Sequence, residues 1–357
     1  MTAHGTTLRR YLLREALVAC GMTLMVLVAI MLALFLAELM GDVADGEVFA
    51  GTVLELLVLR IPEALVTAAP LALVVGLLMS FGELAQGEEF SVMRTAGMQP
   101  GAMLGTVLLL AVVWAVAVLG LSGWAVPAAN QRAAALTERA ADELLLAGVR
   151  PGRFESFGGL TVHAERVNAA SRRLEGVFVH FTNAGRAEVI TARTGTLLEH
   201  PETGRQILSL RDGVHLGHSR SADGMPFRRV EFERNDIELP VGRVAAGAGP
   251  SRAAGMLELA AAGDRASRIE LLQRLTPFVI SLVLVVFALP VTLVGGRGSR
   301  FAIALVAVAV YLAYSNTASL VLVRAAADNG PPGMVWLVHL AALTAALAIV
   351  VSWWRRW

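Results

Sequence analysis

Lysine is absent from the chain, and its absence limits the chemistry available. All 30 basic residues among the 357 are arginines. The phosphate-binding P-loop requires a lysine, so the chain cannot itself be a P-loop ATPase. The only cysteine, Cys20, lies in an apolar stretch, and no disulfide can form within the chain. The net charge of +1 provides no field that would attract nucleic acid.

Charged residues are also scarce, at 17%, whereas hydrophobic residues make up 56% of the chain. A bilayer core about 30 Å thick requires roughly 20 apolar residues in a helix. Six stretches reach this length: residues 16–37, 61–81, 103–126, 275–294, 301–323 and 334–354. They predict a helical membrane protein with six transmembrane helices, the first of which is an uncleaved span and not a signal peptide.

The arginines predict how these spans are oriented. Eight arginines lie at the two termini and in loops 82–102 and 295–300, whereas the short loops on the opposite side hold only Arg60 and Arg324. Positive residues favour the cytoplasmic side of a membrane. We therefore expect both termini in the cytoplasm and residues 127–274 outside it.

The region 127–274 changes from helical to alternating patterns. A helix is predicted over 130–146, and an amphipathic helix over 256–274 leads into the fourth span. Five alternating runs lie between them, at 160–167, 176–181, 188–198, 206–216 and 227–239. Short strands separated by turn residues are typical of an antiparallel sandwich or jelly roll. The predicted domains are spans 1–3 (1–126), an inserted β-jelly-roll domain with flanking helices (127–274) and spans 4–6 (275–357).

The loop after the second span is the most informative short segment. Residues 88–95 can form two helical turns, which end at Gly97, and the whole coupling helix is predicted at about 86–98. Glu88 and Glu89 suit the first turn of such a helix, and Phe90 and Met93 form an apolar stripe with Gly97. The segment is either a connector on the lipid headgroups or a helix that inserts into a cytoplasmic partner. Its acidic charge favours the protein partner.

Catalytic and metal-binding patterns are missing from the sequence. It contains neither a G-x-S-x-G elbow nor an H-E-x-x-H motif. His215 and His218 would point to opposite faces of a strand and could not share an ion. We expect no enzymatic activity, no metal and no cofactor.

Tyr314 and Asn316 belong to a polar patch inside the fifth span, together with Ser315 and Thr317. Polar side chains within a span face protein or a cavity. Both substrate contact and hydrogen bonding between helices are consistent with the patch.

Several stretches resemble the LptF/LptG (YjgP/YjgQ) family of lipopolysaccharide export permeases. The similar stretches are Arg10-Tyr-Leu-Leu-Arg-Glu15, Ala44-Asp-Gly46, Ile61-Pro-Glu63, Pro70-Leu-Ala-Leu73 and Glu89-Phe-Ser-Val-Met-Arg-Thr-Ala-Gly97. The last is similar to the family's coupling motif and is the most specific. The first and third are closer to the LptF branch.

The resemblance implies a permease subunit in an ABC-type exporter of the bacterial inner membrane. It implies a paired permease paralog, an LptB-type ATPase dimer in the cytoplasm, and delivery of lipopolysaccharide to LptC and LptA in the periplasm. It assigns ATPase coupling to the loop, on residues Glu88, Glu89, Phe90, Val92, Met93, Arg94 and Gly97.

Two features leave other functions open. The outer end of the first span, residues 37–42, is acidic, whereas the family places basic residues there. The alternative is a membrane-anchored periplasmic binding or regulatory protein that transports nothing. An intramembrane enzyme is disfavoured, because Glu63 and His339 are the charged residue and the histidine of the predicted spans and lie far apart in the chain.

Overall fold

We describe the fold from a computed structural model of the chain. The description covers residues 2–44, 48, 50–87, 89, 92, 95, 100–148, 151–157, 160–168, 173–183, 186–199, 206–218, 227–238, 250–294, 300–327 and 330–355. Contacts divide the chain into two units. A helical unit holds residues 1–34, 60–129 and 250–357, and a second unit holds residues 35–59 and 130–249.

Ten helices are named here in chain order. They are α1 (Thr2–Ala44), α2 (Val53–Leu59), α3 (Ile61–Gln86), α4 (Pro100–Gly120), α5 (Val126–Gly148), α6 (Pro250–Ala253), α7 (Met256–Ala262), α8 (Arg265–Val294), α9 (Arg300–Ala327) and α10 (Val335–Trp354). Within the described residues, α1, α3, α4, α8, α9 and α10 are long and apolar enough to cross a membrane. The six predicted spans are confirmed.

Helices α3 and α8 form the centre of the helical unit. They pack against each other, and α8 also packs against α4 and α10. Helix α1 joins this core through its first half, where Leu12, Ala16 and Cys20 are buried. At Gly76 of α3 the two backbones come so close that a Cβ atom would lie 2.5 Å from the Cα of Cys20. Only glycine permits this approach without displacing α1.

Two connections between helices of this unit are described here. Helix α4 continues through a π-helical turn, Leu121–Ala125, into α5. The amphipathic helix predicted over 256–274 is interrupted, because Gly263 adopts a left-handed conformation (φ 64°) that ends α7. Asp264 then caps α8 by accepting a hydrogen bond from the Ser267 N–H at 3.3 Å. Hydrogen bonding from Ser267 lowers the pKa of Asp264.

The second unit contains one antiparallel sheet of six strands, each paired with its neighbours in chain order. The strands are β1 (Phe154–Phe157), β2 (Leu160–Asn168), β3 (Arg173–Asn183), β4 (Arg186–Glu199), β5 (Gln206–His218) and β6 (Phe227–Glu238). The predicted fold class, a helical membrane protein with an inserted antiparallel β domain, is confirmed. The described strands are hydrogen-bonded in a single sheet.

The apolar core of the sheet lies on one face. Four successive strands contribute buried side chains to a single cluster: Val162, Ala164, Leu174, Val177, Val179, Ile190, Ala192, Leu208 and Leu210. In β3 the buried residues Val177 and Val179 alternate as expected, but Leu174 is three residues from Val177. Gly176 between them has a φ of 63°, which allows the strand to change its alternation and keep both ends facing the core.

Candidate functional site

The first turns of α1 pack against the last turns of α3. Together they form a base for the loop that is predicted to couple to a partner. Leu12 of α1 is buried together with Phe81 and Leu84 of α3. These side chains are apolar, so van der Waals packing holds the two helices together. Helix α3 ends at Gln86, and the Gly87 N–H donates to the Glu83 carbonyl at 2.9 Å. The loop therefore leaves from a rigid helix pair.

Glu89 lies directly beyond this base and next to α1. Its Oε2 atom accepts a hydrogen bond from the Tyr11 hydroxyl at 3.2 Å, in an exposed position. Tyr11 is itself 41% exposed, and Glu89 is partly exposed. An exposed carboxylate retains most of its hydration and can accept further hydrogen bonds from another molecule.

The remaining predicted coupling residues are described in part. Glu89, Val92 and Thr95 have helical backbones, and Val92 is 66% exposed. The Thr95 hydroxyl donates to the Val92 carbonyl at 2.9 Å. Glu88, Phe90, Met93, Arg94 and Gly97 lie outside the described residues.

The two residues predicted for substrate contact do not lie together. Tyr314 is buried, and its hydroxyl is 2.8 Å from Nδ1 of His339 in α10. Asn316 is exposed, and its amide donates to the Leu312 carbonyl of its own helix at 2.8 Å. The pair Tyr314–His339 joins two helices, and Trp336 packs edge-on against the same imidazole at 5.6 Å.

The described residues contain no group of three metal-ligating side chains. His215 of β5 pairs with Glu188 of β4, and their Nε2 and Oε2 atoms are 3.1 Å apart. His163 instead stacks on Phe154, with ring centroids 4.6 Å apart. These histidines have structural contacts and are distributed over the sheet.

Sequence patterns missed one polar group, centred on Arg274 of α8. This arginine is 4% exposed and forms hydrogen bonds to Glu270 and to two backbone carbonyls. It precedes the predicted fourth span, which begins at residue 275, so a sequence analysis counts it as an ordinary flanking cation. A signal did exist, because Glu270 and Arg274 have the i, i+4 spacing that pairs charges along a helix.

Known proteins are similar to this chain over nearly its whole length. A sequence model of the family described as "Lipopolysaccharide export system permease LptF/LptG" matches residues 10–355. The lipopolysaccharide export system permease protein LptF of Escherichia coli K12 is 27% identical over 359 residues, covering 97% of this chain and 94% of the relative. LptF of Shigella flexneri is similar to the same extent.

Proposed function

The chain belongs to the LptF/LptG family of lipopolysaccharide export permeases, and on this basis we propose that it is the membrane-spanning subunit of an ABC-type lipopolysaccharide exporter. In this role it extracts lipopolysaccharide from the inner membrane and passes it to periplasmic bridge proteins. The chain has no ATPase activity of its own, and a separate LptB-type dimer hydrolyses ATP.

The position of Glu89 is the observation that supports this proposal most directly. The acidic helix predicted between two spans, next to a packed helix pair, would be suited to receive force from a separate protein. Glu89 accepts an exposed hydrogen bond from Tyr11, and Val92 exposes an apolar side chain three residues further on. A partner can therefore bind both a carboxylate and an apolar side chain at little cost to the fold.

The orientation proposed from the arginines places this loop and both termini in the cytoplasm, and the β domain in the periplasm. We assign ATPase coupling to the loop, including its residues outside the described part of the chain. The other partners are a permease paralog in the membrane and LptC-like and LptA-like proteins in the periplasm.

The physical problem of this transport is the apolar surface of the lipid. Each methylene group that leaves the bilayer for water costs about 0.8 kcal/mol, so a lipid with several acyl chains would cost tens of kcal/mol. An apolar path through the helices and along a β domain replaces the bilayer at each step. ATP hydrolysis by the partner then gives the movement its direction.

The proposal is tested with Glu89→Ala. The variant is reconstituted into proteoliposomes with its paralog and the ATPase, and ATP-dependent lipopolysaccharide release to a periplasmic acceptor is measured. We expect release to fall at least about tenfold, which corresponds to a loss of 1.4 kcal/mol of coupling. Glu89→Arg should be at least as defective, because it reverses the charge.

Glu55→Ala is the matched control, because Glu55 is an exposed carboxylate in α2, outside the loop. It should leave release unchanged. Normal release by Glu89→Ala would contradict the coupling role. If the chain purifies from its native membrane without any ATPase subunit, the non-transporting alternative is favoured.

The proposed orientation has its own test. A cysteine is introduced at position 89 in a Cys20→Ala background, and intact cells are treated with a membrane-impermeant maleimide. In Glu89→Cys the thiol should react only after the inner membrane is permeabilised, so that the maleimide can enter the cytoplasm. Labelling from the periplasm would overturn both the orientation and the coupling role.

A further inference from the structure

Arg274 is the centre of a buried polar joint, which we call the Arg274 joint and define by Arg274, Glu270, Ser122 and the carbonyls of Arg252 and Ala254. The arginine lies at the end of the third turn of α8. Its side chain is 4% exposed, and the side chain of Glu270 is 13% exposed. Both charges are therefore largely removed from water.

Each donor group of this arginine has a defined acceptor. Nε donates to Glu270 Oε1 at 2.9 Å. Nη1 donates to the Ala254 carbonyl at 2.8 Å, and Nη2 donates to the Arg252 carbonyl at 2.9 Å. These two carbonyls lie at the end of the short helix α6, where helices leave acceptors without partners. The planar guanidinium holds these three acceptors in one fixed fork, whereas a lysine carries its three donors on a single nitrogen at the end of a flexible stem.

The backbone of Arg274 is part of the same joint. Its carbonyl accepts a hydrogen bond from the Ser122 hydroxyl at 3.2 Å, and Ser122 is buried. Ser122 lies in the π-helical turn Leu121–Ala125 that links α4 to α5. At the next residue, Gly123, a Cβ atom would lie 3.1 Å from Sδ of Met256, so α7 also approaches the π turn closely. π turns of this kind are frequent at functional sites.

The joint lies next to the two chain connections that flank the β domain, residues 130–249 of the second unit. Helix α4 continues through the π turn into α5, which leads to the first strand. The chain returns at Pro250, and the carbonyls of Arg252 and Ala254 follow within a few residues. One arginine thus connects the departing helix, the returning segment and the start of the fourth span.

A buried ion pair is weak evidence for stability, because desolvation offsets most of the Coulomb attraction. Well-packed apolar side chains could have stabilised the same contact. What an arginine fork adds is a fixed geometry between three backbone segments. The residues of the joint therefore fix the relative positions of these backbone segments more than they raise the free energy of unfolding.

We infer that Arg274 is a positioning residue that holds the two connections of the β domain in a fixed geometry on the ends of the third and fourth spans. The end of the third span and the start of the fourth span then move together, and so do the two points at which the chain leaves for and returns from the β domain. This inference rests on the proposed function, in which the partner ATPase moves the spans.

The joint itself is tested by amide hydrogen exchange on the full chain in lipid nanodiscs. In Arg274→Gln, we expect the amides of 121–125 and 256–262 to exchange at least about tenfold faster, with α9 and α10 unchanged. Arg268→Gln is the control, because Arg268 is an exposed arginine of the same helix. Unchanged exchange in both segments of Arg274→Gln would overturn the inference.

Ser122→Ala keeps the test valid if Arg274→Gln does not fold. It removes only the contact to the Arg274 carbonyl, and exchange of 121–125 should rise about threefold. Wild-type exchange at these amides would likewise count against the joint.

The functional arm measures lipopolysaccharide released per ATP hydrolysed in the reconstituted complex. Arg274→Gln should lower this ratio at least about fivefold while ATP hydrolysis continues, and Arg274→Lys should recover part of it. A wild-type ratio in Arg274→Gln would refute the positioning role. Failure of the wild-type complex to release lipid would instead refute the proposed function, and the exchange data would still decide whether the joint is rigid.

Discussion

The two ends of the helical unit hold charged residues in opposite ways. Glu89, at the loop between α3 and α4, is exposed and has one side-chain hydrogen bond in the described structure, from Tyr11. Arg274, at the start of α8, is buried and uses all three of its donor nitrogens on partners within the chain. The first charge remains accessible to another molecule, and the second is fully satisfied by its own fold.

This difference separates binding from positioning. An exposed carboxylate loses little when it is mutated in the isolated protein, because water replaces its partner. A buried guanidinium leaves an unpaired carboxylate and unsatisfied carbonyls when it is removed. Mutation should therefore lower stability strongly at Arg274 and little at Glu89, whereas lipid transport should fall at both ends.

The largest effect is expected for Arg274→Ala. Removal of one partner from a buried pair costs about 3–5 kcal/mol of unfolding free energy. Thermal unfolding of the purified chain in detergent should show the loss, and Arg268→Ala, at an exposed position of the same helix, should change it by less than about 0.5 kcal/mol. If the two variants were equally stable, Arg274 would not be the structurally required charge that distinguishes its end of the helical unit from the Glu89 end.

A smaller effect is expected at the helix crossing that supports the Glu89 end. In Gly76→Ala the added Cβ would meet the Cα of Cys20 at 2.5 Å, so α1 must move, at a cost of about 1–3 kcal/mol. Gly105→Ala is the matched control, since a Cβ there has nothing within 4 Å. Unfolding in detergent should separate the two variants. If Gly76→Ala is as stable as Gly105→Ala, the base of the loop is not rigidly packed.

The predictable part of this fold is the part governed by simple periodicity. Apolar runs predicted the six spans, because a bilayer requires that length whatever the surroundings. Residues Val177 and Val179 fall on the buried face as their alternation predicted. The predicted strand began at 176, whereas β3 begins at Arg173, because the positive φ of Gly176 shifts the alternation and hides the earlier half of the strand.

The strand order and the Arg274 joint could not be derived in the same way. Turn residues mark where strands end, but they do not state whether strands form one sheet or two. Strand β1 is only four residues long and has no clear alternation, so it was not predicted. Two partners of Arg274 lie 20 and 22 residues away in the chain, and both are backbone carbonyls, which have no sequence signature.

An intermediate case is the pair Tyr314–His339 between α9 and α10. Tyr314→Phe removes a hydrogen bond between two buried side chains, and we expect a loss of about 1 kcal/mol, as is typical between membrane helices. Lipid release should be nearly normal in the reconstituted complex. Strongly reduced release with normal stability would instead assign Tyr314 to substrate contact, and Asn316→Ala, at an exposed site of the same helix, provides the comparison.

The smallest effect on stability is expected for Tyr11→Phe. This variant tests whether the hydrogen bond from Tyr11 to Glu89 contributes to coupling. The variant removes an exposed hydrogen bond, so the unfolding free energy should change by less than about 0.5 kcal/mol. If Tyr11 orients the carboxylate for its partner, release should fall in Tyr11→Phe, and the double variant Tyr11→Phe/Glu89→Ala should be no worse than Glu89→Ala alone. Additive losses would mean that Tyr11 contacts the partner independently, and the hydrogen bond from Tyr11 to Glu89 would then have no role in coupling.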